Sequence, residues 1–285
     1  MKQYLTLPVS LLSLFIFSAC NSKNTSNTET VAISSSDSSK TNAMAIKEDS
    51  VSYSDGSTRM IGFIAYDSVS TAKRPVVLVV HEWWGVGSYV RRRAAELANL
   101  GYIAMAIDLY GNGAQGTDPD MAGKLAMPFY KDPHLAKKRF DAALAKIKTY
   151  PQADTSRIAA IGYCFGGAQV LNMARMGENL VGVVSFHGNL VGVTPDKATL
   201  KAKILVCHGE ADQFVSPAEV DKFKKQMDSI GVTFSFKSYP HATHAFTNPE
   251  ATEKGKKFKI PIEYNAAADT ASWNDMKIFF TGIFK

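Results

Sequence analysis

A chain of 285 residues, 46% hydrophobic and 20% charged, has the apolar content to bury a large core, which excludes a disordered, collagen-like or repetitive protein. The first fifty residues hold as many acids as lysines, so the net charge of +6 falls on the remainder. Its basic clusters, Arg91–Arg93, Lys137–Arg139 and Lys254–Lys259, stand apart with no nucleic-acid motif beside them and read as solvated helix faces.

At the amino terminus, Lys2 precedes an apolar run, Leu5–Phe17, closed by Phe17-Ser18-Ala19-Cys20. That run is shorter than the roughly 20 residues that span a bilayer, and small residues before a cleavage point mark a secretory signal. Residues 1–20 resemble a bacterial lipoprotein signal ending at Cys20. The resemblance implies that Cys20 carries lipid, and that the product is an exported cell-envelope protein held to a membrane. An ordinary signal peptide or an uncleaved anchor is the alternative. Residues 21–49, dominated by Ser, Thr and Asn, bury too little surface to fold and read as a tether, leaving residues 50–285 as one domain.

Within that domain, Val51–Ser54 and Met60–Tyr66 flank Asp55-Gly56, a hairpin signal that places an antiparallel pair at the sheet edge. Pro75–Val80 is a continuous β-branched run, expected of a strand buried on both faces, and it ends at His81-Glu82-Trp83-Trp84-Gly85. Tyr89–Leu100 reads as a helix stopped by Gly101, and Tyr102–Ile107 as a strand running into Asp108-Leu109-Tyr110-Gly111. The stretch Asn112–Pro133, rich in Gly, Asp and Pro, reads as a loop, either a cover over a site or plain surface. Helices are expected at His134–Lys148, Ala168–Met176, Pro217–Ile230 and Glu263–Phe284, and strands at Arg157–Ile161, Leu180–Phe186, Lys203–Cys207 and Val232–Tyr239. This alternation predicts an α/β fold, a mostly parallel, doubly wound sheet with helices on both faces.

The stretch Gly162–Gly167, GYCFGG, lies between a strand and a helix and has the form of a nucleophile elbow with Cys164 at its tip. Glycines at 162 and 166 let strand and helix approach, and the helix N-terminus favours a thiolate. The competing reading is an inert thiol at a glycine-rich strand exit. Two further strand ends decide between them. Asp212 follows Lys203–Cys207 and His244 follows Val232–Tyr239, so the chain order is nucleophile, acid, histidine, as in α/β-hydrolases. His244 would take the Cys164 proton, Asp212 would orient the imidazole, and the backbone N–H groups of Phe165 and Trp83 would receive the developing oxyanion. Such chemistry needs no cofactor. A disulfide between Cys164 and Cys207 would abolish it. His241 and His244 are spaced HxxH, but no HExxH helix or cysteine pair accompanies them, so no metal site is read there. His81, His187 and His208 stand at strand ends as walls of the cleft, and Trp83, Trp84, Tyr110, Tyr163 and Phe165 make an aromatic pocket for a small neutral substrate.

The motifs HEWWGV, DLYG, GYCFGG, HGEADQFV and HATHAFTNP, in this order, resemble the dienelactone hydrolase family of α/β-hydrolases over roughly residues 50–285. The resemblance implies hydrolysis of carboxylic esters or lactones through Cys164, Asp212 and His244. It also implies that Glu82 lies near the thiol and helps control its protonation. Family members that take dienelactone carry two arginines for the substrate carboxylate, and Asn112 and Asn248 stand at the matching positions. A neutral ester or lactone is therefore the expected substrate. The reading from a different class is a membrane-tethered binding lipoprotein that keeps the hydrolase scaffold without its chemistry.

Overall fold

The computed structural model describes residues 44–285; the signal expected at 1–20 and nearly all of the tether lie outside the described residues. β1 (Ile46–Ser54) and β2 (Arg59–Asp67) form the expected antiparallel hairpin. Asp55 closes its turn by accepting the Ser57 and Thr58 amides at 2.9 and 2.8 Å. β1 begins at Ile46 rather than Val51, so residues 46–49 belong to the sheet and not to the tether. Their side chains are largely exposed and they are held by backbone pairing to β2, which leaves no apolar pattern to read.

The chain then runs through β3 (Arg74–Val80), α1 (Ser88–Asn99), β4 (Ile103–Ile107), α2 (Pro119–Lys131), α3 (Pro133–Ile147), β5 (Ala153–Tyr163) and α4 (Phe165–Arg175). β6 (Gly182–Phe186), β7 (Lys203–Gly209), α5 (Pro217–Ser229), β8 (Phe234–Tyr239), α6 (Ala251–Phe258) and α7 (Ala266–Ile283) complete it. The sheet has eight strands in the order β1-β2-β4-β3-β5-β6-β7-β8. β2 pairs antiparallel with β4, and every pair beyond that is parallel, as expected.

Side chains alternate along a strand, so Val76, Leu78 and Val80 of β3 face a core closed by α2 to α5. Val77 and Val79 face a second core closed by α1 and α7. Burying each such side chain contributes about 1.5–3 kcal/mol. The carboxyl ends of the parallel strands are thus held in a fixed rim, from which the loops of the site project.

Two helices depart from the sequence expectation. The stretch Asn112–Pro133, expected as a loop, contains α2, which buries Ala122, Ala126 and Phe129. Asp118 caps it by accepting the Met121 amide at 2.8 Å, and Pro119 fits its first turn. Pro128 inside the helix and Gly123 obscured it. The second, α6, is only 8 residues long and buries little beyond Ala251 and Gly255, too short a span for a periodic signal.

Candidate active site

The elbow forms between β5 and α4. A Cβ added at Gly162 would collide with the Gly166 carbonyl, and one at Gly166 with the Val80 carbonyl, so strand, turn and helix are in backbone contact. Cys164 sits at the tip with φ 52° and ψ −116°, a left-handed conformation that costs a side-chain-bearing residue energy. Its own N–H lies 2.9 Å from the Phe186 carbonyl and 3.0 Å from His187 Nδ1, both of which accept from it.

The acid and the histidine arrive from the loops after β7 and β8. Asp212 Oδ1 accepts the Phe214 amide at 2.8 Å, which leaves Oδ2 aimed at His244 Nδ1, 2.8 Å away. The His244 backbone bridges to Ile262, and its carbonyl accepts the Glu263 amide at 3.3 Å. Cys164, His244 and Glu82 all line one cavity of about 250 Å³. Burial disfavours a charged His244, but Cys164 and the Asp212 carboxylate beside it outweigh that and raise the imidazole to a pKa of about 10.

Glu82 is almost wholly buried. Burial raises its pKa, against the opposing pull of Lys254 and of Asn248, whose amide donates to Oε2 at 2.7 Å. Asn248 Oδ1 accepts the Glu250 amide at 3.0 Å, so both ends of its side chain are engaged. The other expected arginine position, Asn112, is exposed and outside the cavity, with φ 55° and its amide bonded to the Arg59 carbonyl at 2.7 Å.

Of the expected pocket residues, Trp83 and Trp84 line the cavity, packed edge to face at 4.9 Å. Tyr110 and Tyr163 do not line it, which corrects the sequence reading. The Tyr110 ring packs between His81 and Phe165 with its hydroxyl donating to the Trp83 carbonyl at 3.0 Å, so it stands behind the Trp83 turn. Tyr163 is one residue out of phase with the cavity face. The alternation of β5 sends it to the other side of the sheet, stacked on Phe186 at 4.8 Å. Phe165 begins α4, where its N–H has no intrahelical acceptor, and its ring lies in the core. Cys164 and Cys207 are both free thiols; Cys207 is fully buried, accepts from the Tyr239 hydroxyl at 3.5 Å, and is pushed up to about 12 by burial.

The sequence profile of the dienelactone hydrolase family matches residues 61–284. The chain belongs to that family. A candidate carboxymethylenebutenolidase of Methylorubrum extorquens is 33% identical over 183 residues, 60% of this chain and 63% of that protein. Protein usf of Aquifex pyrophilus is 28% identical over 72% of this chain and 87% of its own length. A dienelactone hydrolase-like promiscuous phosphotriesterase from metagenomic libraries superposes with a TM-score of 0.79 at 33% identity, covering 84% of this chain and 99% of that one. An alpha/beta hydrolase from a deep-sea metagenome shares the fold at a TM-score of 0.61 and 14% identity.

In this dienelactone hydrolase family member two residues of the site were not assigned their part by sequence reasoning. Asn248 stood out only as a missing arginine, yet it is the donor that holds Glu82. His187 was one of three histidines at strand ends, and nothing in the sequence separates it from His81 or His208. Its ring bridges two loops: Nδ1 accepts from the Cys164 amide, so Nε2 carries the proton and donates to Thr247 Oγ1 at 2.7 Å, three residues beyond His244. His81 has the opposite tautomer, with Nε2 accepting the Leu109 amide at 3.3 Å and Nδ1 donating to the Glu82 carbonyl at 2.5 Å. His241 is exposed, and among the described residues no group of three or more His, Cys, Asp or Glu is gathered to hold a metal.

Proposed function

We propose that this protein hydrolyses neutral carboxylic esters or lactones through an acyl-thioester on Cys164. The observation that carries the reading is a half-buried thiol at the elbow tip sharing one cavity with a histidine that is itself bonded to a carboxylate at 2.8 Å. In the first half-reaction the Cys164 sulfur adds to the substrate carbonyl and the oxyanion is received by the N–H groups of Phe165 and Trp83. The carbon–oxygen bond then breaks, and the alcohol leaves with the proton held by His244. In the second, a water gives His244 a proton as its oxygen adds to the thioester carbonyl. The acid departs and sulfur recovers its charge, paired with the imidazolium.

Asp212 keeps the imidazole in one orientation throughout. Burial raises the Glu82 pKa, which favours its neutral form relative to a solvated carboxylate in the cavity it shares with Cys164. Neutral substrates follow from the lining, which holds Glu82 and no lysine or arginine; the imidazolium of His244 is already held by Asp212, so a substrate carboxylate would enter without a free charged partner.

The experiment is Cys164→Ala, assayed on a small activated ester beside thermal unfolding. Turnover is expected to fall roughly a thousandfold or more while the melting transition persists. Undiminished turnover would remove Cys164 as the nucleophile. Stoichiometric alkylation of wild-type Cys164, at a rate that depends on His244, separates this reading from a silent binding scaffold, in which the thiol would be inert.

A further inference from the structure

The geometry points to a substrate class for this site: esters with a hydrophobic chain longer than the cavity, the overhang lying on an exposed apolar rim. The inference rests on the ester-hydrolase reading above. Large apolar side chains left in solvent are usually scattered. Here three of the nine among the described residues lie at one opening, Met127 at 48% exposure, Tyr130 at 41% and Phe214 at 45%, and a fourth, Val191 at 53%, lies in the groove beside it.

The first three of these line the cavity that holds Cys164. Tyr130 and Asn189 also line an adjoining groove with Val191, Asn172, Gly192 and Glu219, so the Tyr130 ring joins the cavity to a groove in which Val191 is the apolar wall. A cavity of about 250 Å³ falls just under the roughly 300 Å³ at which pockets for drug-sized ligands begin. It therefore accommodates the reacting ester and a short chain, and further methylenes must pass the mouth. There each one covers apolar surface that is otherwise wet, and the gain is up to about fourfold in affinity for a methylene fully removed from water.

The test is kcat/KM of the full chain on the p-nitrophenyl esters of acetate, butyrate and octanoate, all below the concentration at which they aggregate. A rise of at least tenfold from acetate to octanoate is expected. Val191→Asp and, separately, Met127→Asp should cut the octanoate-to-acetate ratio fivefold or more, and Val191→Leu should keep it. An equal or falling wild-type series, or a ratio that both aspartates leave intact, overturns the substrate class. A chain that cleaves acetate as readily as octanoate defeats this inference alone. One that cleaves none of the three defeats the ester reading beneath it.

Discussion

Buried imidazoles ordinarily lose their proton, and His244 keeps its own because Cys164 and the Asp212 carboxylate are packed against it. Burial is the largest single influence and works against the charge; the Cys164 sulfur and the Asp212 carboxylate together reverse it. Cys164→Ala should therefore bring the His244 pKa down from about 10 toward the ordinary 6.5, as read by imidazole NMR titration. The sign of the linked stability follows. A pKa raised on folding stabilises the native state fully below 6.5, and that contribution is lost as pH climbs through about 10. The wild type should lose stability across that window relative to Cys164→Ala, and parallel curves for the two would contradict the pairing. Asn248 makes a second test. Asn248→Leu leaves the Glu82 carboxyl buried without its donor, so the Glu82 pKa should rise further and unfolding should ease by about 1–3 kcal/mol.

One level up, the elements that carry the site are tied to each other by a short run of polar contacts behind it. Arg93 of α1 donates to the Thr247 carbonyl at 2.9 Å, and Tyr89 donates to Thr247 Oγ1 at 2.6 Å. The same oxygen receives His187 Nε2–H, and His187 reaches the Cys164 amide. Under the proposed mechanism that imidazole helps set the spacing between Cys164 and His244. His187→Leu removes both of its bonds and should lower kcat by at least tenfold with KM little altered. His187→Asn, which restores an acceptor near the Cys164 amide, should recover part of the loss. Equal kcat in the two variants would show that the bridge does not position the thiol. What the sequence made legible here follows the same division. Strand ends bearing Cys164, Asp212 and His244 stood out because the first two follow buried apolar runs in β5 and β7, while the third follows the alternating pattern of β8. The elbow stood out because only glycine fits beside the Val80 and Gly166 carbonyls. Helix α2 was hidden by Pro128, although Asp118-Pro119 spelled its start. Tyr163 was misplaced because a period of two was not carried through β5 to its last residue. His187 stayed unassigned because a bridging role depends on where two distant loops meet.

For the whole chain, the open matter is where such a hydrolase would work. Among the described residues no helix is long and apolar enough to cross a membrane. We propose that a lipid on Cys20 attaches the chain to a membrane. Lys2, the run Leu5–Phe17 and the small residues before Cys20 have the pattern of a lipid-accepting signal, and two acyl chains suffice for stable anchoring where one does not. An anchored enzyme with an apolar rim would meet lipophilic esters where they concentrate, in or beside the bilayer. Two features with separate origins, a signal at one end and exposed Met127, Tyr130 and Phe214 at the cavity mouth with Val191 in the groove beside it, therefore lead to the same kind of substrate. Cys20→Ser, expressed in a bacterium with a lipoprotein pathway, should move the protein from the membrane fraction to the soluble one while acetate hydrolysis per molecule is retained. In intact cells its octanoate hydrolysis should then fall below that of the wild type, because enzyme and substrate no longer share a phase. Retention of the variant in the membrane fraction would assign the attachment to something other than Cys20.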